Sequence, residues 1–418
     1  MITEPHVGSN AASFEAVERH TPVVLDLAQR ICAIPAPTFS EERRAAFVRE
    51  EFAAQGLEAW IDEAGNACAR RRGRGRGVLL VSAHTDTVFP AGADLSVRHE
   101  DNRLVGPGIG DNSLSVAALL TLPRILDQAV IQTESTLVLC ANTGEEGLGN
   151  LRGMRHAVAT YRDDLTAVIV LEGHHLGRVY NHAVGSRRLR ITVTAPGGHS
   201  WGAFGQASAI HVLGDMIAAI AQLPVPAEPK TTFNVGMIDG GVSINTIAPR
   251  ATMTLDLRSV DPTSLTHLIS RVGAIVAAAT DAARGVSVHS EIIGDRPGGV
   301  IPADAPVIQA TLDTLQALGL DPQLAAGSTD ANIPIAEGIP AVCIGLTTGG
   351  HAHRRDEYID IPPLVAGLKQ VALLVTRVGS GAEQQENGSS GREEKAAIHG
   401  AAAPANPEYR EKWGRHRR

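Results

Sequence analysis

The sequence predicts an α/β fold. Short apolar strands and amphipathic helices alternate from Glu58 to Leu171, the same rhythm returns after Pro306, and the stretch between follows a different pattern. One structural unit therefore interrupts another. At 418 residues and 44% hydrophobic composition, the chain is long enough for a substantial core and favours two domains over one.

Apolar residues at helical spacing predict a helix from Phe14 to Ala33 and, after the Pro35-Ala36-Pro37 break, another from Glu41 to Ala54. β-rich runs follow at Glu58 to Ile61, Ala67 to Arg70 and Val78 to Ala83, the last continuous enough to fill a buried strand. Ser113 to Leu126 reads as a helix, Ser135 to Cys140 as a strand, Leu151 to Thr160 as a helix and Thr166 to Leu171 as a strand. After Gly185, Arg188 to Ala195 and Thr252 to Arg258 alternate like half-exposed strands, with helices near Ser208 to Leu223 and Pro262 to Ala283, which suits a small α+β insert. A helix from Pro306 to Leu318, a strand from Ala341 to Ile344 and a helix from Pro363 to Val378 resume the first pattern.

The net charge of −8 gives no electrostatic reason to expect nucleic acid or an anionic membrane as partner. The RRRGRGRG run at Arg70 to Gly77 lacks interleaved aromatics and reads as a solvated hairpin turn between two strands. Cys32, Cys68, Cys140 and Cys343 are widely spaced in apolar contexts, as buried free thiols are. No stretch of eighteen apolar residues and no leader-like N-terminus is present, so a cytoplasmic protein is expected. The tail from Gly379 to Arg418 is polar and small-residue-rich, and is expected to be disordered.

The residues that carry chemistry follow apolar strands. His84 ends VLLVSAH, and Asp86, two residues on, points the same way and is placed to orient its ring. Asp111 follows glycines in GPGIGDN, just before a helix, where it serves either as an N-cap or as a rigidly held bridging ligand. Glu145 and Glu146 follow the strand STLVLCA; two adjacent carboxylates in an apolar pocket raise each other's pKa unless a cation neutralises them. Glu172 ends AVIVLE, and His351 and His353 lie in GLTTGGHAHRRDEY after another strand. Two histidines and four acids without thiolate suit a co-catalytic pair of divalent ions, which share a bridging carboxylate and activate a water for attack on a carbonyl.

HTDTV, GIGDN, the GluGlu pair, the late acid and HRRDEY occur in an order that resembles the co-catalytic zinc metallopeptidases, the family of glutamate carboxypeptidase, aminoacylase, acetylornithine deacetylase and peptidase T. The resemblance spans about Ala12 to Arg377, with EEGLGNLRGMR and PGGHSWGAFG closest to the tripeptidase-like branch. It implies a zinc-peptidase catalytic domain with a mixed central sheet flanked by helices, over 12–183 and 298–378, interrupted at 184–297 by a ferredoxin-like α+β lid and dimerisation domain, with 379–418 as the tail. It implies that His84, Asp111 and Glu172 hold one ion and Asp111, Glu146 and His353 the other, His353 being chosen over His351 because it precedes Glu357 by four positions. It further implies Glu145 as general base, Asp86 as the residue orienting His84, and His199 as carbonyl-polarising group, often reaching a partner subunit's site. Arg258 and Asn245 match positions that hold a substrate carboxylate, although Arg258 also suits a strand residue paired with Asp256 or Asp261.

The expected function is hydrolysis of an amide bond in a short peptide or N-acylated amino acid, by an aminopeptidase, a carboxypeptidase or a deacylase. It would use two divalent metal ions, zinc foremost with manganese or cobalt as alternatives, in a homodimer joined through the lid. Two readings compete: an amidohydrolase of N-carbamoyl or ureido amino acids, and a non-catalytic metal or peptide binder on the same scaffold.

Overall fold

A computed structural model describes residues 7–380. The tail expected over 379–418 therefore lies outside the described residues, apart from Gly379 and Ser380 at a helix end. Leaving shorter pairings aside, the chain begins with α1 (Val7–Cys32), α2 (Glu42–Ala53), β1 (Glu58–Ile61), β2 (Ala67–Arg71) and β3 (Val78–His84). Then come α3 (Leu114–Gln128), β4 (Thr136–Asn142), α4 (Arg152–Tyr161), β5 (Leu165–Glu172) and β6 (Arg178–Ala183). The middle holds β7 (Gly185–Thr194), α5 (Ala209–Ala221), β8 (Thr231–Gly240), β9 (Arg250–Ser259), α6 (Pro262–Ala278) and β10 (Ser287–Arg296). Last are β11 (Gly299–Val300), α7 (Pro306–Ala317), β12 (Gln323–Gly327), α8 (Asn332–Ala336), β13 (Ala341–Gly345) and α9 (Leu364–Gly379).

The central sheet is mixed, in the order β1-β2-β4-β3-β5-β13-β6-β11, with β12 on β6. Its middle strands β4, β3, β5 and β13 are parallel neighbours. Every residue of β3 is buried, as a strand covered on both faces requires. Helix α3 is buried along most of its length, from Leu114 to Leu126, and packs between the sheet, α1 and α9. This explains why its sequence is apolar on nearly every side rather than along one stripe.

Residues between β6 and β11 build a second, antiparallel sheet in the order β8-β9-β7-β10, covered by α5 and α6. The succession β-α-β-β-α-β with that strand order is the ferredoxin-like arrangement. Its apolar residues form a separate cluster around Ile191, Leu213, Leu255 and Val272. Helix α6 starts where the sequence writes Asp261-Pro262: the Asp261 carboxylate accepts from the Ser264 amide at 2.7 Å, and the proline sits in the first turn.

One expectation is corrected. The Arg70 to Gly77 run is not a hairpin turn, because β2 and β3 are not neighbours: β4 lies between them, antiparallel to β2 and parallel to β3. Arg70 and Arg71 still belong to β2, with Arg71 buried, and the largely exposed remainder, 72–77, steps over one strand at the sheet end, which composition alone does not distinguish from a tight return. All four cysteines are buried and free. Among the described residues no helix is long and apolar enough to cross a membrane.

Candidate metal centre

Because β3, β4, β5 and β13 run parallel, their carboxyl ends share one edge, the side of an open α/β sheet where ligands bind. His84 is the last residue of β3 and pairs with Asn142, the last of β4. Glu145 and Glu146 follow from β4, Glu172 closes β5, and the loop after β13 carries His353.

These side chains converge. His84 Nε2 lies 3.0 Å from Asp111 Oδ1 and 3.8 Å from Glu172 Oε2. His353 Nε2 lies 3.1 Å from Asp111 Oδ2 and 3.2 Å from Glu146 Oε1. The two oxygens of Asp111 thus face different histidines. Within each trio, His84-Asp111-Glu172 and Asp111-Glu146-His353, all ligand atoms fall within 4.8 Å of one another. His351 instead pairs with Asp356 at 3.0 Å. Asp111 is no helix cap; Ser113 occupies that position before α3.

The loop bearing Asp111 is held by a carboxylate the motif reading used only as a spacing mark. Glu357, fully buried, accepts from the Gly110 and Asp111 amides at 2.8 and 2.7 Å through Oε1, and from the Gly108 amide at 2.9 Å through Oε2. His174 Nε2 lies 3.4 Å from the same Oε1. Gly110 is required by that ring, since a Cβ there would stand 1.7 Å from His174 Nε2.

Asp86 does more than orient His84. Its carboxylate accepts from the Glu145 and Glu146 amides, both at 2.9 Å, and from the Thr38 hydroxyl at 2.8 Å. Its main-chain carbonyl meets His84 Nδ1 at 3.1 Å, while the nearer carboxylate oxygen is 3.6 Å away. One buried aspartate therefore positions β3's terminal histidine and the glutamate pair after β4 together. Burial raises its pKa, but His84 and the two amides outweigh that and hold it below the usual range.

Glu145 is nearly buried and ion-paired with Arg296, whose Nη1 donates to Oε1 at 2.8 Å and to Ser328 Oγ at 3.1 Å, while Nη2 donates to the Glu145 carbonyl. Burial still dominates and pushes the Glu145 carboxyl up to about 8 against the pull of Arg296 and His84. Burial also raises Glu172 well above the carboxylate range, with His84 opposing. For His84, burial alone would depress the ring; hydrogen bonds to Asp111 and Asp86 with the charge of Glu172 hold it well above its ordinary value. His353, bonded to Asp111 and Glu146, is raised to about 10. Adjoining them, Asp330 accepts from Asn142 Nδ2 at 2.6 Å and is pushed by burial to about 6. So many acids in a buried cluster stay ionised together only with cations among them, and without cations they hold protons instead. The all N/O donor set fits hard or borderline divalent ions.

A cavity of about 720 Å³ opens over the two trios. Its lid wall includes Arg188 and Arg258, which share Asp256: Arg188 Nε lies 3.1 Å from Oδ1 and Arg258 Nε 2.6 Å from Oδ2. Arg258 is thus both an ion-paired strand residue and a cavity residue. His199 and Asn245 do not line the cavity of their own chain. They meet on an exposed part of the lid, where His199 pairs with Thr246 and Asn245 O accepts from the Ser200 amide at 3.0 Å.

Sequence reasoning missed Arg296, Asp330, His174 and Arg44. For Arg296 the available signal was a lone arginine before Pro297 where the first rhythm resumes; for Asp330 it was an acid in the polar GSTDAN stretch ahead of α8.

Fold and site together define a metal-dependent hydrolase built on an interrupted α/β domain. Residues 80–377 match the family described as Peptidase family M20/M25/M40, and the chain belongs to that family of metal-dependent peptidases and amidohydrolases. As a member it is a hydrolase of the kind that acts on peptides or acylated amino acids. An acetylornithine deacetylase of Klebsiella pneumoniae (strain 342) is 27% identical over 304 residues, covering 69% of this chain and 77% of the relative. A putative succinyl-diaminopimelate desuccinylase of Mycobacterium tuberculosis (strain CDC 1551 / Oshkosh) is 26% identical over 355 residues, covering 82% and 95%. Among solved structures, a tripeptidase of Staphylococcus aureus aligns with a TM-score of 0.73 at 21% identity, over 86% of this chain and 98% of that one. The aminopeptidase PepT of Bacillus cereus aligns at 0.71 and 19% identity, over 86% and 98%.

Proposed function

We propose that this chain hydrolyses the amide bond of a short peptide or an N-acylated amino acid, with His84, Asp111 and Glu172 holding one divalent ion and Asp111, Glu146 and His353 a second. The observation that carries the reading is Asp111, whose two carboxylate oxygens face His84 and His353 at 3.0 and 3.1 Å. Zinc is the expected pair. When bound, such ions supply Lewis acidity, which polarises a carbonyl and makes water a nucleophile at neutral pH.

Glu145 is the general base. Its carboxylate lines the cavity, and a carboxyl that burial pushes up to about 8 would be held in its ionised form at neutral pH by divalent ions in the adjoining trios. It accepts a proton from the attacking water and returns it to the leaving amine. Arg296 fixes the rotamer by holding one Glu145 oxygen and its carbonyl, leaving the other oxygen to the water. Asp86 sets the direction from which both glutamates approach. His199 and Asn245, exposed on the lid and outside their own chain's cavity, act in the site of a second copy, with His199 on the oxyanion. The protein then works as a homodimer, and a monomer at micromolar concentration in light scattering would count against this arrangement. Arg258 faces a substrate carboxylate.

The test is turnover by the zinc-loaded protein across dipeptides, tripeptides, N-acetylamino acids and N-carbamoylamino acids, beside Glu145→Gln. Loss of roughly 10²- to 10⁴-fold in kcat for the variant, with zinc content unchanged, supports the base. Equal activity in both proteins overturns it.

A further inference from the structure

The cavity has a second basic wall that the ligand sets do not use. It comes from the core sheet and the turn leading into it: His175, Arg178 and Tyr180, all lining the cavity. The Tyr180 hydroxyl and His175 Nδ1 are 2.9 Å apart. His175 adopts a left-handed backbone, φ 68°, which a non-glycine residue adopts at some cost in conformational energy and which often marks a residue aimed for a purpose. Arg178 lies beside Tyr180 and His175. Unlike the other cavity arginines, it has no acid within ion-pair distance among the described residues: Arg188 and Arg258 share Asp256, and Arg296 holds Glu145.

Charge balance gives this wall a purpose. Four acids line the cavity, all in or next to the metal trios, and four arginines face them. Two divalent ions would add about four positive charges and neutralise the acids unaided. Asp256 serves Arg188 and Arg258, and Glu145 pairs with Arg296, so among the described residues Arg178 is the one guanidinium lining the cavity with no anion of its own.

Resting on the amide-hydrolase reading, we infer that Arg178, Tyr180 and His175 form a carboxylate subsite opposite the lid arginines, selecting substrates that carry a second carboxylate on the part lying against β6. A planar guanidinium takes a carboxylate through paired N–H donors. If the Tyr180 hydroxyl donates to His175 Nδ1, the phenolic oxygen keeps its acceptor capacity and His175 Nε2–H is left as a further donor toward a bound carboxylate. Arg178 is exposed in the open cavity, so discrimination comes from the charge-assisted pair that an acidic substrate makes with it and a neutral isostere does not.

The test uses the full-length zinc-loaded protein and isosteric pairs differing only in that charge: Glu-Ala against Gln-Ala, and N-succinyl-alanine against N-succinamoyl-alanine. Wild type is expected to favour the acidic member of at least one pair by roughly 10- to 100-fold in kcat/KM. Arg178→Met should bring that ratio close to unity, and Arg178→Glu should reverse it. A wild type without preference in either pair, or a ratio unchanged in Arg178→Met, overturns the subsite. A second readout needs no turnover. Calorimetric titration with free succinate should show affinity at least about tenfold weaker in Arg178→Met than in wild type, and equal affinities overturn the proposal. If no amide of any kind is cleaved, the hydrolase reading fails by itself, and the succinate comparison still decides the subsite.

Discussion

Asp111 is placed to bridge two ligand sets only if its carboxylate is prevented from turning toward either histidine alone. Glu357 supplies that constraint through three main-chain amides of the Gly108 to Asp111 turn, and it lies four residues from His353, so one buried acid registers the loops of both trios. Glu357→Gln sets an amide N–H₂ against at least one of those N–H donors. Zinc affinity, measured by competition with a chromophoric chelator, is expected to fall about 10- to 100-fold; unchanged affinity would show that the loop is held without it. At this scale the sequence was readable where a ligand ends a strand, as His84 and Glu172 do, or follows one closely, as the Glu145-Glu146 pair does. Arg296 is 151 residues from Glu145, and no local pattern announces their pairing.

Among the elements, the end of β3 is anchored by Arg44 on α2, a guanidinium only 1% exposed. Its Nη1 donates to the Thr85 carbonyl at 2.8 Å and its Nη2 to the Ile34 carbonyl at 2.6 Å, tying the turn after α1 to the residue following His84. Burial draws its pKa down to about 10, with Cys32 and Asp86 opposing. Arg44→Met leaves these carbonyls unpartnered and should destabilise the fold by about 2–4 kcal/mol, read as a lower urea midpoint with unchanged slope. A midpoint within error of wild type would mean that water replaces the guanidinium without penalty. The buried strands were legible because both faces are apolar. Strands β8 and β10 were not: they form the two edges of the lid sheet, and many of their residues are exposed on both faces, which erases the alternation that identifies a half-buried strand. Strand β6, RVYNHA, escaped because polar residues lie on both its faces: Arg178 and Tyr180 line the cavity, while buried Asn181 donates to the Ile301 carbonyl.

For the whole molecule, the interrupted layout was visible as a change of rhythm, whereas the order of strands was not, because β4 between β2 and β3 is a long-range pairing. The charge stored across the carboxyl edge of the central sheet has a consequence that can be measured. Without metal, its carboxylate neighbours hold the His84 ring well above its ordinary pKa, hydrogen bonds to Asp111 and Glu146 raise His353 to about 10, and burial lifts Glu172 well above the carboxylate range. Metal ligation needs neutral imidazoles and ionised carboxylates, so loading at pH 7.5 must expel protons. Zinc titrations in buffers of different ionisation enthalpy should therefore give apparent heats whose slope corresponds to more than one proton released per protein; a slope of zero would mean that the trios are not where the metal binds. The sign of the stability effect follows. A histidine raised from about 6.5 to about 10 stabilises the metal-free fold fully below about pH 6.5, and that contribution is lost as pH rises toward 10. Zinc affinity moves the other way, increasing over the same range as proton competition weakens. The gap between the unfolding temperatures of loaded and metal-free protein should thus widen from pH 6 to pH 8, and a gap that narrows would place the bound ion away from His84 and His353.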